Sequence, residues 1–301
     1  MAFVPSYIEV YEKGILNQRI EALNEILKEC RLCPRQCRVN RVGGETGYCG
    51  APADLMVSSA FPHFGEEPPL VGYHGSGTIF LTHCNLLCIF CQNYDISHQG
   101  RGIKISSDDM ARTMVKLQEM GCHNINFVTP THYAPQIIAS LPKAIEMGLR
   151  VPIVYNCSGY ESIEVIKLLE GIIDIYMPDI KYMDERFSGK FSNAHDYPKV
   201  VKSVLKEMHR QVGDLQINNS GIAERGLLIR HLVMPNGVAS TEAVLRFIAE
   251  EISIHSYVNI MDQYRPEYRA YEYPEINRRI TNKEYLEAIQ IAKRLKLYRG
   301  F

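Results

Sequence analysis

The segment GTIFLTHCNLLCIFC, residues 77–91, decides the fold. Its first part, Gly77–His83, has the composition of a β-strand, and Cys84, Cys88 and Cys91 follow it with the spacing C-x3-C-x2-C. Structural zinc sites use four protein ligands, and ordinary four-iron clusters also have four thiolates. Three thiolates on a loop directly after a strand therefore leave one coordination position open to a ligand from outside the protein.

Downstream of this segment, short β-rich runs alternate with helical patterns. The second to fifth of these six runs are nearly continuous in apolar residues, as expected for a parallel sheet that is covered on both faces. Six strand–helix units predict an α/β fold, a partial (β/α)6 TIM-like barrel with parallel strands, whose chemistry lies at the carboxyl ends of the strands. The predicted strands are Gly77–His83, Asn124–Thr129, Val151–Cys157, Ile172–Met177, Gly226–Val233 and Tyr257–Asp262. The predicted helices are Asp108–Met120 with Ser107 as N-cap, Pro135–Met147, Ser162–Leu169, Pro198–Val212, Thr241–Ile252, and Asn282–Leu295 with a Thr281–Glu284 capping box.

Residues 1–76 are predicted to form a small cysteine-rich extension to a barrel domain of residues 77–301. The extension contains a predicted helix, Leu16–Lys28, then a second cysteine group and a loop rich in Gly and Pro. The group has the spacing C-x2-C-x3-C-x11-C, and its four thiolates are a complete set for structural zinc or for a second four-iron cluster. The spacing does not decide between these metals, and free thiols are the remaining alternative. Its members are Cys30, Cys33, Cys37 and Cys49.

Composition excludes several classes of protein. Lys plus Arg number 33 and Asp plus Glu number 34 in 301 residues, so no strong basic field favours nucleic acid or an anionic membrane. No apolar run approaches the roughly 18 residues of a membrane span, and Met1–Val10 does not resemble a signal peptide. We therefore expect a cytoplasmic protein, in which metal ligation explains the clustered cysteines better than a disulfide scaffold. The isolated Cys122 and Cys157 are expected to be packing residues.

The cysteine motif after a barrel strand resembles that of the radical S-adenosylmethionine (SAM) superfamily. The resemblance implies that Cys84, Cys88 and Cys91 hold a [4Fe-4S] cluster whose open iron is chelated by the amino and carboxylate groups of SAM. The implied chemistry is reductive cleavage of SAM, which releases a 5′-deoxyadenosyl radical that abstracts hydrogen. Phe90 matches the usual aromatic position of the superfamily, whose side chain packs near the adenine.

By the same resemblance, SAM lies across the ends of the strands. Many members have Gly-Gly-Glu after the second strand, whereas this chain has Thr129-Pro130-Thr131, so both threonine hydroxyls are candidates to bind the SAM amino group. His132 is a further candidate there, as a proton donor or as a structural histidine. Asn156 and Ser158 lie at the end of the third strand, in a segment similar to the Thr-Asn-Gly of activating enzymes.

The fourth and fifth strands supply charged candidates. Asp179 and Lys181 are similar to the Asp-x-Lys motif of pyruvate formate-lyase activating enzyme, and extended geometry points both side chains to one side. In that family the Asp and a Met carbonyl help to bind a monovalent cation, which makes Asp179, Met177 and Asn156 candidates for that role. Arg230 could hold the SAM carboxylate as a fork donor, and a structural salt bridge is the alternative.

The resemblance extends to a group of Fe–S proteins related to pyruvate formate-lyase activating enzyme, which share the N-terminal pattern seen here from Cys30 to Arg41. It implies an enzyme that generates a glycyl radical on a partner protein, with flavodoxin or ferredoxin as the reductant. The alternative is a radical SAM enzyme that modifies a small molecule or another protein. A third class, a metal-binding scaffold without chemistry, stays open because Gly-Gly-Glu is missing.

Overall fold

The computed structural model describes residues 3–301, and in that range nine strands form one sheet around the centre of the protein. The strands are β1 (Leu55–His63), β2 (Ser76–Leu81), β3 (Ile103–Ile105), β4 (Ile125–Val128), β5 (Ile153–Cys157), β6 (Ile175–Pro178), β7 (Gln216–Ile217), β8 (Ala223–Leu232) and β9 (Tyr257–Met261). Strands β2, β4, β5, β6, β8 and β9 pair in that order and all run parallel. Each of them coincides with one of the six predicted strands, which confirms the predicted α/β partial barrel.

The helices cover the outer face of this sheet. Their bounds are α1 (Ser6–Glu12), α2 (Ile15–Ile26), α3 (Pro68–Val71), α4 (Tyr94–Ser97), α5 (Ser107–Glu119), α6 (Ala134–Glu146), α7 (Ile163–Leu168), α8 (Glu185–Ser192), α9 (Tyr197–Val212), α10 (Thr241–Phe247) and α11 (Asn282–Arg294). The predicted capping box of Thr281 and Glu284 is present on α11. Ser107 is not the cap of α5, because the Ser106 hydroxyl accepts from the Asp109 amide and the Ser106 amide donates to the Asp109 carboxylate in return. The predicted helix Thr241–Ile252 is α-helical only to Phe247 and continues as one π-helical turn.

The N-terminal residues join the sheet and the core of the barrel. Strand β1 pairs antiparallel with β2, and β3 pairs with β1, so the sheet continues beyond the parallel strands. Tyr7 and Leu23, from α1 and α2, are fully buried in the same hydrophobic cluster as the barrel strands. The Asp174 carboxylate, just before β6, accepts bonds from the amide and hydroxyl of Ser6 at 2.8 and 2.9 Å. A domain boundary at residue 76 stays a prediction.

The loop between β1 and β2 enters the interior of the barrel. Leu70 packs there against Val154 and Met177, in a small apolar cluster separate from the main core. Glu67 is buried beside it and accepts a bond from Asn259 of β9 at 2.9 Å. Part of the barrel interior is therefore filled by residues of the predicted extension. Among residues 3–301, none of the helices has both the length and the apolar character that a membrane crossing requires.

Candidate active site

A cavity of about 260 Å³ opens at the carboxyl ends of the parallel strands, where the sequence predicts the chemistry. The cysteine loop borders one side, and residues from the ends of β4, β5, β6, β8 and β9 form the rest of its wall. Of the residues predicted to hold the cluster or SAM, all but Thr131 line this cavity: Cys84, Cys88, Phe90, Cys91, Thr129, Asn156, Ser158, Asp179, Lys181 and Arg230.

Each sulfur of the cysteine loop lies beside one hydrogen-bond donor. The Leu86 amide points to the Cys84 sulfur at 3.4 Å, and the Ser192 hydroxyl donates to the Cys88 sulfur at 3.0 Å. The Ser97 hydroxyl lies 3.2 Å from the Cys91 sulfur. Leu87 within the loop has a φ of 50°, in the left-handed region that non-glycine residues rarely enter. These donors fit a cluster whose thiolates carry negative charge.

Burial controls the protonation of two of these cysteines, Cys84 and Cys88. It raises the pKa of Cys84 to about 12 and, although the Lys181 ammonium opposes it, the pKa of Cys88 to about 11. Within residues 3–301, no three His, Cys, Asp or Glu side chains are arranged as a ready metal site. The sulfurs would therefore lose protons and draw together around a bound cluster, as metal binding by thiolates generally requires.

Phe90 has one edge on the cavity and the rest of its ring in the core. Its ring meets Tyr182 and Tyr264 edge-on, with centroids 6.3 and 6.1 Å apart. Phe90 is therefore both a lining residue of the cavity and a packing residue of the core.

A network of charged side chains forms the polar wall of the cavity. Asp179 accepts from Lys181 Nζ at 2.7 Å and from Arg230 Nε at 2.8 Å, and Arg230 also donates to Asn156 Oδ1 at 2.7 Å. Burial would raise the pKa of Asp179, but the Arg230 and Lys181 charges outweigh it and hold the pKa below its usual value. Burial alone would lower the pKa of Lys181, but the negative charge of Asp179 outweighs it, and the pKa of Lys181 is raised. All three side chains are charged at neutral pH.

This network argues against the predicted monovalent-cation site. Both oxygens of Asp179 and the amide oxygen of Asn156 are occupied by the cationic groups of Lys181 and Arg230. A metal cation would have to compete with two buried positive charges. The guanidinium of Arg230 is likewise engaged by protein oxygens, which is the structural salt bridge that the sequence left as an alternative.

The two candidate threonines after β4 lie in different places. Thr129 lines the cavity with a φ of 60°, a strained conformation for a β-branched residue. Thr131 is fully buried outside it, where its hydroxyl donates to Glu161 Oε1 at 2.8 Å, so it is not placed to contact SAM. His132 is also outside the cavity, with Nε2 2.7 Å from the Thr82 carbonyl oxygen. Burial lowers its pKa to about 3, so the ring is neutral.

Several residues that complete the site escaped the sequence reasoning. Glu66 lies 3.5 Å from Arg230, and burial raises its pKa well above the usual range. The sequence feature that could have identified Glu66 is the pair of adjacent acidic residues, Glu66 and Glu67, in a Pro-rich loop. Ser97 and Ser192, which contact the cluster ligands, carried no signal because isolated serines are common on any helix.

The four N-terminal cysteines are near enough for their charges to act on one another, although their sulfurs are not arranged as a ready metal site. The Tyr48 amide donates to the Cys37 sulfur at 3.3 Å, and a Cβ on Gly47 would lie 2.8 Å from that sulfur, so only glycine allows the chain to pass here. Burial raises the pKa of Cys33, and the charges of Cys49 and Cys30 act on it in the same direction. The donor set suits zinc or an iron–sulfur cluster equally.

Arg41 is a buried cation next to this group. It is 1 % exposed, and none of the carboxylates in residues 3–301 lies within 4 Å of it. Burial raises the pKa of the half-buried Cys49, and the charge of Arg41 partly opposes this rise. Its guanidinium donates to the carbonyl oxygens of His132, at 2.6 Å, and Pro52, while Nε has no partner. A buried charge without a counter-charge is costly, and four thiolates around a divalent centre would supply negative charge here.

Comparisons with known proteins agree with this site. The family model described as the Radical SAM superfamily matches residues 78–222, which include the cysteine loop and the ends of β4, β5 and β6. The protein named "Uncharacterized protein MJ0674" of Methanocaldococcus jannaschii is 33% identical over 300 residues, covering 96% of this chain and 82% of its own.

One solved structure shows the same fold at low sequence identity. The chain is similar to HydG, a maturase of the [FeFe]-hydrogenase, with a TM-score of 0.52 and 15% identity over 74% of this chain and 50% of HydG. It is also similar to methylornithine synthase, with a TM-score of 0.48 and 14% identity over 73% of this chain and 62% of that chain. The chain thus spans half to about three-fifths of the length of these structures. With the cysteine motif at the mouth of a parallel partial barrel, the chain belongs to the radical SAM superfamily.

Proposed function

We propose that this radical SAM enzyme abstracts a hydrogen atom from a peptide loop of a partner protein, as an activating enzyme for a glycyl radical enzyme. The family implies a [4Fe-4S] cluster and SAM, which together supply the 5′-deoxyadenosyl radical when reduced. Cys84, Cys88 and Cys91 would hold the cluster, and Phe90 and Thr129, which line the cavity, would contact SAM. Flavodoxin or ferredoxin is the proposed reductant.

The observation that carries this proposal is the chemistry at the mouth of the cavity. Its exposed lining residues are the amides Gln92, Asn93 and Gln263, while its charged residues are deeper and paired with one another. Neutral amides can hydrogen-bond the N–H and C=O groups of an extended peptide. A mouth of this kind favours a loop of protein over a strongly charged metabolite.

The second candidate is an enzyme that modifies a small molecule. The cavity itself favours it, because a volume of about 260 Å³ can enclose small groups.

We also propose that Cys30, Cys33, Cys37 and Cys49 bind zinc or a second four-iron cluster. The unbalanced charge of Arg41 supports an anionic centre at this position. Iron and zinc analysis of protein isolated and reconstituted without oxygen tests it, because about four iron atoms per chain indicate one cluster and about eight indicate two. A chain with about four iron atoms and no zinc would contradict the proposal.

The main proposal is tested by following the hydrogen atom that would pass from a glycine of the partner protein to 5′-deoxyadenosine. Reduced enzyme is incubated with SAM and purified pyruvate formate-lyase carrying α-deuterated glycine. We expect a glycine-centred radical signal in electron paramagnetic resonance (EPR) and deuterium in the 5′-deoxyadenosine. Deuterium-free 5′-deoxyadenosine without a glycine signal would contradict activation of this partner class. Absence of 5′-deoxyadenosine under all conditions would contradict every enzymatic proposal.

A further inference from the structure

Arg35 connects the two cysteine groups. It lies between Cys33 and Cys37, yet its guanidinium donates to carbonyl oxygens far along the chain: Asn85 at 3.1 Å, Ser192 at 2.9 Å, and Asn193. An arginine side chain presents five N–H donors in a rigid fork, which allows one side chain to hold several carbonyls at once.

The groups that Arg35 contacts belong to the cluster site. Asn85 directly follows Cys84, so a bond to its carbonyl oxygen fixes the backbone of the cysteine loop. Ser192 ends α8, and its hydroxyl donates to the Cys88 sulfur at 3.0 Å. The Ile89 amide, next to Cys88, bonds to the carbonyl oxygen of Phe191, also in α8, at 2.9 Å. Arg35 therefore holds both the loop and the helix end against which the loop rests.

The other side of the guanidinium depends on the N-terminal group. Its central carbon lies 3.9 Å from the ring centroid of Tyr48 and 5.2 Å from that of Tyr160, within the range of cation–π contacts. Tyr48 precedes Cys49, and its amide donates to the Cys37 sulfur. Tyr48, the nearer of the two rings, is thus anchored to the N-terminal cysteine group through its bond to Cys37 and its peptide link to Cys49.

We propose that metal binding at the four N-terminal cysteines sets the geometry of the Cys84–Cys91 loop through Arg35, which acts as a positioning residue for the [4Fe-4S] site. This inference rests on the proposed N-terminal metal centre. The coupling runs through the side chain of Arg35. The Cys33–Cys37 loop fixes its Cα, and the ring of Tyr48 fixes the plane of its guanidinium group. The carbonyl oxygens of Asn85, Ser192 and Asn193 accept its N–H groups. Loss of the N-terminal metal loosens the cluster loop without removing a cluster ligand.

The test compares Arg35→Ala and Arg35→Lys with Arg38→Ala in the full chain. Arg38 belongs to the same cysteine segment, but its exposed side chain bonds only to Glu29. Metal content, the EPR spectrum of the reduced cluster with and without SAM, and 5′-deoxyadenosine formation are measured. We expect Arg35→Ala to keep its N-terminal metal, to lose the EPR change on SAM binding and to lower turnover about 10- to 100-fold, as residues behind metal ligands typically do. Arg38→Ala should behave as the wild type, and Arg35→Lys, which lacks the fork, should rescue only in part.

A double-mutant cycle separates coupling from a purely structural role. Cys37→Ser alone and together with Arg35→Ala should change the EPR spectrum to the same extent, because both act through one side chain. Additive effects, or an Arg35→Ala spectrum like that of Arg38→Ala, overturn the inference. Where Cys37→Ser does not fold, judged by circular dichroism, the comparison of the arginine variants decides alone. Absence of any N-terminal metal in the wild type contradicts the proposed metal centre, whereas unchanged spectra with the metal present contradict only the role of Arg35.

Discussion

Arg230 on β8 and Asp179 after β6 join neighbouring strand ends through a bond of 2.8 Å, and Lys181 shares the same carboxylate at 2.7 Å. One buried acid thus balances two buried bases at the wall of the cavity. Glu66, at 3.5 Å from Arg230, adds a second acid from the β1–β2 loop. The barrel strands and the N-terminal extension therefore share one electrostatic network.

Asp179→Asn should destabilise the protein strongly, because it leaves two largely buried cations, with side chains 17–19 % exposed, with one partner fewer. Removing one member of a buried ion pair typically costs about 3–5 kcal/mol. The free energy of unfolding, from chemical denaturation, measures the effect. The matched control is Asp184→Asn, whose carboxylate pairs with the exposed Arg186 and caps α8. Asparagine caps a helix as well as aspartate does, so the control should change stability by less than about 1 kcal/mol. Equal effects would contradict a buried network.

Glu161→Gln should make stability less dependent on pH. Burial raises the pKa of Glu161 to about 7, from 4.5 in the unfolded chain, although Thr131 and Tyr155 donate to its oxygens. The folded state therefore holds the proton more tightly, and this contribution to stability is complete below pH 4.5 and is lost as the pH rises through 7. The variant, measured against wild type from pH 4.5 to 8, should gain up to about 3 kcal/mol in relative stability. A constant difference would show that Glu161 does not titrate in this range.

Ser192→Ala should lower the reduction potential of the cluster. Its hydroxyl donates to the Cys88 sulfur, and a donor to a thiolate stabilises the more negative, reduced state. A hydrogen bond of about 1 kcal/mol corresponds to roughly 40 mV for one electron, which an EPR-monitored redox titration detects. Ser203→Ala is the control, because that exposed hydroxyl bonds only to the Lys199 carbonyl oxygen on α9. A potential that moves equally in both variants would rule out a specific effect on Cys88.

Thr129→Gly and Thr131→Val should separate SAM binding from stability. Glycine removes the cost of the left-handed backbone at Thr129, so the variant should lose no stability and gain up to about 1 kcal/mol. Since Thr129 lines the cavity, the Kd for SAM should rise. Thr131→Val removes a bond to Glu161 and should cost about 1–2 kcal/mol with an unchanged Kd. Calorimetric titration of the reconstituted protein measures the Kd, and the opposite pattern would assign SAM contact to Thr131.

The sequence alone determined the cluster motif and the barrel. The spacing of Cys84, Cys88 and Cys91 is local, and so are the apolar runs of the six parallel strands, because neighbouring residues set both the reach of a loop and the pattern of a strand. The capping box of Thr281 and Glu284 was predictable for the same reason. The ends of strands and helices differ from the predicted ends by a few residues. The N-cap of α5 is Ser106 in place of the predicted Ser107, because either serine has a hydroxyl that can accept from a nearby amide.

Tertiary structure alone decided which side chains meet. Arg230 and Asp179 are 51 residues apart, and Arg35 and Ser192 are 157 apart. No local spacing encodes such pairs, which form only when the sheet closes and α8 packs against the cysteine loop. The same packing directs the Thr131 hydroxyl toward Glu161 and brings the Asp179 carboxylate into contact with Lys181 and Arg230. The sequence gives the types of residue that can act as ligands. The fold decides their partners, their charges and their access to the cavity, because burial and long-range contacts set the energy of each polar group.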